Sequence, residues 1–434
     1  MKKSHTFLTR VVRIMRDMKN SGIEWIGEIP KDWQTITNKY NFDLNKEIIG
    51  SRWNTTQLLS LTKNGIKKIE QGEQTGKVPS SFSTYQKVNR NNIVMCLFDL
   101  DCSAVFSGIS KFNGMISPAY KCFKCKKHLY PLYVDYYFRA VFVDRKYKRY
   151  SKNIRYSLTS DEFFSLPILV PKLEEQKQIA DFLDRKCSEI DALRLEIEQE
   201  IATLKEYKKS IITEAVTKGL NKNVPMKDSG IKYVGIIPKS WNIHPVYYYF
   251  VERKNKNTFG LETNLLSLSY GNIIRKDIST TGGLLPESFN TYNIVEPYDI
   301  IIRPTDLQND KRSLRTGLVK EHGIITSAYI ALKASKKIHI PYFHYLLHAF
   351  DVMKVFYNMG NGVRQGLNFS EFSKLMVFEP PQNEQKQIAD YLDRKCSKIN
   401  DIIKAKNKQL STLDEYKKSL IYEYVTGKKE VPSV

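Results

Sequence analysis

A sixteen-residue segment that occurs twice constrains the fold of this chain more than any other feature. EQKQIADFLDRKCSEI begins at Glu175 and EQKQIADYLDRKCSKI begins at Glu384, so 14 of 16 positions are identical at an offset of 209 residues. SGIEWIGEIPKDW, which begins at Ser21, likewise matches SGIKYVGIIPKSW, which begins at Ser229. A repeat of this length far exceeds the period of solenoid proteins, so each copy should be a domain followed by a connector.

The charge of the chain indicates the kind of partner that it binds. Its 434 residues include 68 Lys and Arg against 46 Asp and Glu, which gives a net charge of +22. Such an excess favours a polyanion, most commonly nucleic acid, although a solvated basic surface is the alternative. The longest apolar runs are too short to cross a bilayer, and Arg10, Arg13 and Arg16 interrupt those of the N-terminal segment. We therefore expect a cytoplasmic protein.

Short apolar runs bounded by Gly, Asn, Ser and Pro follow the first Trp-containing motif and predict strands of a mixed or antiparallel sheet. YPLYVDYYFRAVFVDRKY, from Tyr130, and its counterpart IPYFHYLLHAFDVMKVFY, from Ile340, carry aromatic residues at helical spacing. We predict a core helix from each, with a base-stacking platform as the alternative. The fold class of each copy is therefore α/β or α+β.

A long helix is predicted at the end of each copy. From Glu174 to about Thr217 there is no Gly or Pro, and a heptad pattern recurs here and after Pro381, although Lys406 interrupts it. The residues predicted to pair the two helices are Ile190, Leu193, Ile197, Leu204, Tyr207 and Ile211 in the first copy and Ile399, Ile402, Leu413, Tyr416 and Leu420 in the second. Pairing within one chain suits near-identical copies, and a coiled coil between two chains is the alternative.

Motifs for catalysis or metal binding are not evident in the sequence. EPPQ at Glu379 lacks the aromatic residue of the tetrapeptide used by amine methyltransferases, and TGKV at Thr75 lacks the spacing of a phosphate-binding loop. Cys122 and Cys125 form a single CxxC without the second ligand pair that tetrahedral zinc requires. We predict no catalytic residues, no metal site and no enzyme activity for this chain alone.

The duplicated motifs resemble those of the specificity subunit of type I restriction-modification systems. The resemblance rests on the paired motifs at Ser21 and Ser229, on NIRYSLTSDEFFSLPILVPKLEEQKQIADFLD and GVRQGLNFSEFSKLMVFEPPQNEQKQIADYLD, and on the helices that follow. It implies a tail at 1–17, target-recognition domains at 18–171 and 221–380, spacer helices at 172–220 and 381–427, and a tail at 428–434. It also implies that the two helices form an antiparallel coiled coil.

The same resemblance implies a function and partners. Each target-recognition domain would read one half of a split double-stranded DNA site, and the helices would set the spacer. Two modification subunits would supply S-adenosylmethionine and adenine N6-methylation, while restriction subunits would supply ATP-dependent translocation and cleavage with Mg²⁺. The specificity subunit would bind no cofactor itself and would make no membrane contact.

Candidate DNA contacts lie in basic segments and in the least similar loop of the two copies. DLDCSAVFSG from Asp99 corresponds to the longer DLQNDKRSLRTG from Asp306. Because Lys and Arg neutralise phosphates and Arg or Gln can read bases, these residues are candidates. They are Lys146, Lys148, Arg149, Lys152 and Arg155 in the first copy and Arg303, Lys311, Arg312, Arg315, Arg364 and Gln365 in the second. A solvated or ion-paired role is the alternative for each.

Three hypotheses follow from the sequence. The leading one is a non-catalytic DNA reader that recruits methyltransferase and nuclease subunits. The others are a nuclease or methyltransferase with an unrecognised active site, and a structural basic coiled-coil adaptor.

Overall fold

The computed structural model describes residues 16–70, 79–151, 156–278, 288–305, 307, 314–355, 359 and 366–432. The chain divides into two compact units. The first unit comprises Met1–Ile197 with Lys408–Val434, and the second comprises Glu198–Asn407. Each unit therefore combines one copy of the duplicated domain with part of each long helix.

The first unit contains a four-stranded antiparallel sheet in the order β4-β11-β8-β9 and four two-stranded pairs. Its strands are β1 (Met18–Asn20), β2 (Glu28–Pro30), β3 (Gln34–Thr37), β4 (Phe42–Asn45), β5 (Leu59–Thr62), β6 (Gly65–Lys68), β7 (Gln86–Val88), β8 (Ile93–Met95), β9 (Ser107–Ile109), β10 (Gly114–Ile116), β11 (Lys121–Cys125) and β12 (Pro167–Val170). Its helices are α1 (Pro131–Phe142), α2 (Ser160–Ser165) and the beginning of α3 (Leu173–Lys218).

The second unit repeats this arrangement with the sheet order β16-β23-β20-β21. Its strands are β13 (Met226–Asp228), β14 (Ile236–Pro238), β15 (Asn242–Pro245), β16 (Phe250–Glu252), β17 (Leu266–Ser269), β18 (Asn272–Arg275), β19 (Asn293–Val295), β20 (Ile300–Ile302), β21 (Thr316–Leu318), β22 (Gly323–Ile325), β23 (Ile330–Ala334) and β24 (Met376–Glu379). Its helices are α4 (Ile340–Val352), α5 (Phe369–Phe372) and the beginning of α6 (Gln382–Val425). The predicted tandem α/β fold is confirmed.

The aromatic helices α1 and α4 are core elements, as their spacing predicts. Each begins with a proline in its first turn, where the missing N–H costs no hydrogen bond. Tyr133, Tyr137 and Phe138 of α1 are fully buried against the sheet. Burying each such ring contributes on the order of 2 kcal/mol. These rings are therefore packing groups rather than a surface for stacking bases.

The short helices α2 and α5 place the chain for the last strand of each domain. Both begin with a capping box, in which Thr159 pairs with Glu162 and Asn368 pairs with Glu371. Reciprocal bonds of this kind satisfy the free N–H groups at a helix start. Phe163 and Phe372 then enter the cores of their units.

Segments of α3 and α6 pack antiparallel inside each unit. In the first unit Lys417 pairs with Asp191 at 2.6 Å and Arg194 pairs with Asp414. In the second unit Lys208 Nζ donates to Asn400 Oδ1 at 2.9 Å and Lys406 pairs with Glu200. Partner numbers on α6 fall as the numbers on α3 rise, so the two helices run in opposite directions at both places.

The buried stripe of each helix differs in part from the predicted stripe. Five of the predicted residues are buried, namely Ile190, Ile197, Ile211, Ile399 and Leu420, while Leu204 and Leu413 are half-buried. Leu193, Tyr207, Ile402 and Tyr416 are exposed, with exposed fractions of 46%, 51%, 38% and 54%, so their assignment to the seam is corrected.

The spacing of the buried positions along α3 differs from the predicted spacing. The stripe continues four residues after Ile190, Ile197 and Leu204 rather than three. Those positions are Arg194, Ile201 and Lys208, and none of them is exposed. Arg and Lys can bury their aliphatic stems while their charged ends reach acids on the neighbouring helix. Apolarity alone therefore selected the wrong neighbour, and Lys406 belongs to the stripe instead of interrupting it.

Candidate nucleic-acid interface

Each long helix has a Glu-Gln pair in its first turn, Glu175–Gln176 in α3 and Glu384–Gln385 in α6. This pair, the EQ motif, joins the helix to the domain that precedes it. Trp33 Nε1 donates to Glu175 Oε2 at 3.0 Å, and Trp241 Nε1 donates to Glu384 Oε2 at 3.1 Å. Both indoles are buried. The carboxylate thus satisfies a donor that would otherwise lose its hydrogen bond in the core.

The glutamine of each EQ motif bonds to backbone groups of the domain. Gln176 Oε1 accepts from Tyr130 N at 2.8 Å, and Gln385 Oε1 accepts from His339 N at 3.0 Å. Further along α6, Tyr345 Oη donates to Asp393 Oδ1 at 2.6 Å. Burial, together with this carboxylate, raises the pKa of Tyr345 far above its ordinary value, so its hydroxyl remains a donor.

The end of the other long helix reaches the same tryptophan in each unit. A Cβ at Gly219 would lie 2.8 Å from Glu384 Oε1 and 3.3 Å from the Trp241 ring. A Cβ at Gly427 would collide with the Pro30 ring and lie 3.2 Å from the Trp33 ring. Both glycines also have positive φ, so each ends its helix where other residues would be strained and crowded.

The basic run of the first domain lies against the loop that differs most between the copies. Arg145 donates to the carbonyl oxygen of Ser103 at 2.5 Å, and its guanidinium lies 4.5 Å from the centre of the Phe142 ring. Asp144 and Arg145 both have positive φ, which turns the chain at this point. The structure therefore joins two features that are more than forty residues apart in sequence.

The three described candidates of the first domain already have partners within the protein. Lys146 pairs with Asp144 at 3.1 Å, and Arg149 pairs with Glu24 at 2.9 Å. Lys148 Nζ lies 4.2 Å from the centre of the Tyr156 ring. Exposed ion pairs contribute at most about 1 kcal/mol, so a phosphate can displace these acids at little cost.

In the second domain the structure contradicts the prediction for Arg315. The Arg315 side chain is 0% exposed, and its backbone N–H donates to Asp351. Its guanidinium donates to the carbonyl oxygen of Thr305. Arg315 therefore anchors the base of its loop and cannot contact DNA in this conformation. Arg303, whose N–H donates to the Arg315 carbonyl at 2.8 Å, is half-buried beside it.

Six of the sequence candidates fall outside the described residues. They are Lys152, Arg155, Lys311, Arg312, Arg364 and Gln365. Their assignment as DNA contacts stays a prediction.

Sequence reasoning did not select the lysines of one exposed hairpin in the first domain. Lys63, Lys67 and Lys68 of the β5–β6 hairpin are exposed. The signal was available, because GIKK follows a two-residue turn and contains two adjacent lysines after the apolar Ile66.

The cysteine pair of the first domain packs in two different apolar clusters. Cys122 lies with Val94 and Ile116, whereas Cys125 packs at the edge of the cluster that contains Phe123. Burial raises the pKa of each thiol to about 12, which opposes the thiolate that a metal requires. Over the described ranges no group of three or more His, Cys, Asp or Glu residues could hold a metal ion.

Within the same described ranges, no helix combines the length and apolarity that crossing a membrane would require.

Comparison with known proteins gives consistent matches. A family model described as the type I restriction modification DNA specificity domain matches residues 30–203 and 319–426. The putative type I restriction enzyme MjaX specificity subunit of Methanocaldococcus jannaschii is 24% identical over 433 residues, covering 94% of this chain and 96% of that protein. The type I restriction enzyme MjaVIII specificity subunit of the same organism is 25% identical over 293 residues, covering 63% and 64%.

A solved structure supports the fold. It is described as the structural basis underlying complex assembly and conformational transition of the type I R-M system. One of its chains aligns with a TM-score of 0.68 at 12% identity, covering 92% of this chain and 99% of that chain.

Proposed function

Because the chain belongs to the type I restriction-modification DNA specificity family and is a specificity subunit without a catalytic site of its own, we propose that it reads a bipartite DNA site and recruits the subunits that act there. Each of its two specificity domains reads one half of the site. The modification subunits bring S-adenosylmethionine and methylate adenine, and the restriction subunits bring ATP-dependent cleavage.

The observation that carries this proposal is the contrast between a repeated frame and divergent loops. The Trp33–Glu175 junction recurs as Trp241–Glu384, whereas the loop after Asp99 differs in length and charge from the loop after Asp306. If the two domains bound the same DNA sequence, we would expect these two loops to be alike. Unequal loops on an equal frame suit two different half-sites at a fixed separation.

The helix surfaces support recruitment of two copies of one partner. Six exposed positions at the beginning of α3 are identical to exposed positions at the beginning of α6. They are Lys177, Gln178, Asp181, Asp184, Arg185 and Ser188, which correspond to Lys386, Gln387, Asp390, Asp393, Arg394 and Ser397. Asp184 and Asp393 accept from Tyr136 and Tyr345 of their own domains, but packing does not constrain the other five side chains. The equality of those five in two otherwise divergent copies suits two equal docking surfaces for the modification subunit.

Reconstitution tests the proposal. The purified chain with S-adenosylmethionine should methylate no DNA, and the chain with its modification subunit should methylate adenines in one bipartite sequence. Sequencing that detects methylated adenine in the treated DNA reads out both results. Methylation by the chain alone would indicate a hidden active site, and binding that depends on salt but not on sequence would indicate a structural adaptor.

A matched pair of variants tests the docking surface. Asp181→Lys with Asp390→Lys should reduce co-purification of the modification subunit at least tenfold, because the same side chain changes sign on both equal surfaces. Glu189→Lys is the control, since this exposed position already carries lysine, Lys398, in the second copy. Equal co-purification of the two variants would remove the docking surface from the proposal.

A further inference from the structure

A β-hairpin stands on the sheet edge of each domain at an equivalent place. In the second unit β17 and β18 pair from Leu266 with Arg275 to Ser269 with Asn272. A Cβ at Gly317 of β21 would lie 2.6 Å from Leu268 Cδ1 and 2.9 Å from Ile273 Cδ1. The hairpin therefore packs directly on the backbone of β21, where only glycine leaves room.

The first unit keeps this arrangement. The β5–β6 hairpin packs on β9, and a Cβ at Gly108 would lie 3.0 Å from Leu61 Cδ1. Gly108 and Gly317 occupy equivalent positions in the duplication. The hairpin is thus a fixed part of the repeated frame, and its tip has a defined position in each domain.

The tip of the second hairpin is strained and strongly exposed. Its two turn residues, Tyr270 and Gly271, have φ values of 45° and 80°. A turn with positive φ at both positions favours Asn followed by Gly, and a bulky Tyr in the left-handed region is unfavourable. The Tyr270 side chain is nevertheless 77% exposed, so burial of its ring does not explain why it occupies this position.

The tip also lies beside the loop that differs most between the copies. A Cβ at Gly271 would lie 3.1 Å from Leu314 Cδ1, and Leu314 is the residue that precedes Arg315 at the base of that loop. The hairpin strand after the tip ends in Arg275 and is followed by Lys276, both of them exposed. An exposed aromatic ring thus lies on a rigid element that also carries basic residues.

The equivalent tip position in the first domain is Lys63, with Lys67 and Lys68 on the following strand. The frame beneath the tip is equal in the two copies, and the tip itself is not. If the tips contacted a partner subunit that binds both domains in the same way, we would expect the same residue at both tips. If the tips contact two different DNA half-sites, we expect different residues. Lys and Tyr are both residue types that contact nucleic acid.

We infer that the hairpin tip is a DNA-contacting element of both domains, at which Tyr270 packs against a base of one half-site and Lys63 binds a backbone phosphate at the other. This inference rests on the proposed function, since it requires that the domains bind DNA. It makes Tyr270 a specificity-determining residue of the second half-site. The strain at Tyr270 is then retained for the contact that the ring makes.

The decisive variant is Tyr270→Asn in the full chain, assayed as the complex with its modification subunit. Asn relieves the strain, so the thermal midpoint of the chain should stay equal or rise. Methylation of the target should fall roughly 5- to 150-fold, as expected for loss of one good base contact. Its preference among base substitutions should relax in the second half-site alone.

Tyr298→Asn is the matched control. Tyr298 is also a tyrosine of the second domain, is 58% exposed and has a φ of 72°. It lies at the opposite end of the β20–β21 pair, where its N–H donates to the Val319 carbonyl at 2.8 Å. This variant should methylate the target within twofold of the unaltered complex.

Lys63→Ala tests the first domain. It should weaken binding equally at all sequences and lower the slope of log affinity against log salt by about one, as for one lost phosphate contact.

The outcomes separate the inference from the proposed function. If the unaltered complex methylates no defined bipartite sequence, the proposed function fails. If it does, and Tyr270→Asn keeps the same rate and base preference, the inference fails. Loss of co-purification of the modification subunit in Tyr270→Asn would also overturn it, because the tip would then contact the partner instead of DNA.

Discussion

The two units carry different side chains at equivalent positions below their four-stranded sheets. In the first, Phe106 and Phe142 stack with ring centres 5.7 Å apart, and Asp135 pairs with Arg139 at 2.7 Å. In the second, Arg315 and Asp351 replace the aromatic pair, and His344 and His348 replace the ion pair. Charged residues thus occupy the aromatic positions in the second unit, and two histidines occupy the positions of the buried Asp135 and the exposed Arg139.

The junctions between domain and helix show the opposite behaviour. Trp33 with Glu175 and Trp241 with Glu384 keep the same residues and the same hydrogen bond. The comparison teaches that the core below each sheet accepts different polar and apolar side chains at equivalent positions. The junction between domain and helix is the same in both copies, and a domain and two helix ends meet there.

The largest expected effect comes from breaking the buried charges of the second unit. Arg315→Ala should cost about 3–5 kcal/mol, because it removes the buried positive charge of the residue whose N–H binds Asp351 and leaves that buried carboxylate in the core. Native-state hydrogen exchange followed by mass spectrometry measures this cost in the peptides of β20 and β21.

The double variant Arg315→Phe with Asp351→Phe installs the aromatic pair of the first unit. It should recover most of the loss, since well-packed apolar pairs commonly replace buried ion pairs without cost. If the double variant is as unstable as Arg315→Ala, the two cores are not interchangeable.

The second-largest effect is expected from acid, which should destabilise the second unit more than the first. Burial lowers the pKa of His344 to about 3 and that of His348 to about 4. Both side chains stay neutral in the folded chain while they take up protons near 6.5 in the unfolded chain. The stability that they contribute is present above pH 6.5 and is lost as the pH falls toward 4, by up to about 1.4 kcal/mol per pH unit for each.

Hydrogen exchange at pH 7 and pH 5 should therefore show loss of protection in α4 but not in α1. His344→Asp with His348→Arg installs the pair of the first unit at these two positions and should remove the difference. Equal acid sensitivity of α1 and α4 in the unaltered chain would contradict the assignment.

A smaller effect is expected at the Trp–Glu junction that occurs in each unit. Glu384→Ala leaves the buried Trp241 N–H without an acceptor and should cost about 1–3 kcal/mol in the second unit. Glu175→Ala should cost more in the first unit, because Glu175 also binds Arg16 at 2.6 Å.

Glu→Gln at each position keeps an acceptor for the indole and should lose less than Glu→Ala does. Urea midpoints of the four variants, with hydrogen exchange to locate the loss, provide the measurement. A larger loss for Glu384→Ala than for Glu175→Ala would show that Arg16 adds nothing.

The smallest effect is expected in the helix seam. The ion pair of Lys406 with Glu200 is partly exposed, so Lys406→Ala should cost less than about 1 kcal/mol. Lys406→Leu should be neutral or stabilising, because position 406 lies on the buried stripe. A loss of several kcal/mol from Lys406→Leu would show that the ion pair fixes the helix register.

Much of this architecture follows from the sequence alone. The offset of 209 residues between the EQ motifs predicted two equal frames, the absence of Gly and Pro predicted the long helices, and the aromatic spacing predicted α1 and α4. These features are local or repeated, so periodicity and propensity are sufficient to find them.

The contacts of a side chain in the folded protein could not be predicted in this way, because they depend on which distant segments of the chain pack against it. Only the tertiary structure decided that Arg315 is buried, because a charged residue in a variable loop looks like a ligand-binding residue from sequence. Its counterpart Phe106 is buried as well, so both copies use this position for packing. The first position of each heptad was predicted correctly, but the intermediate position was placed one residue too early. Apolar spacing does not distinguish the third from the fourth residue when long basic side chains lie on the seam. The hairpin tip beside Leu314 was likewise invisible, because its place is set by the close approach of Gly317 to a strand pair almost fifty residues earlier.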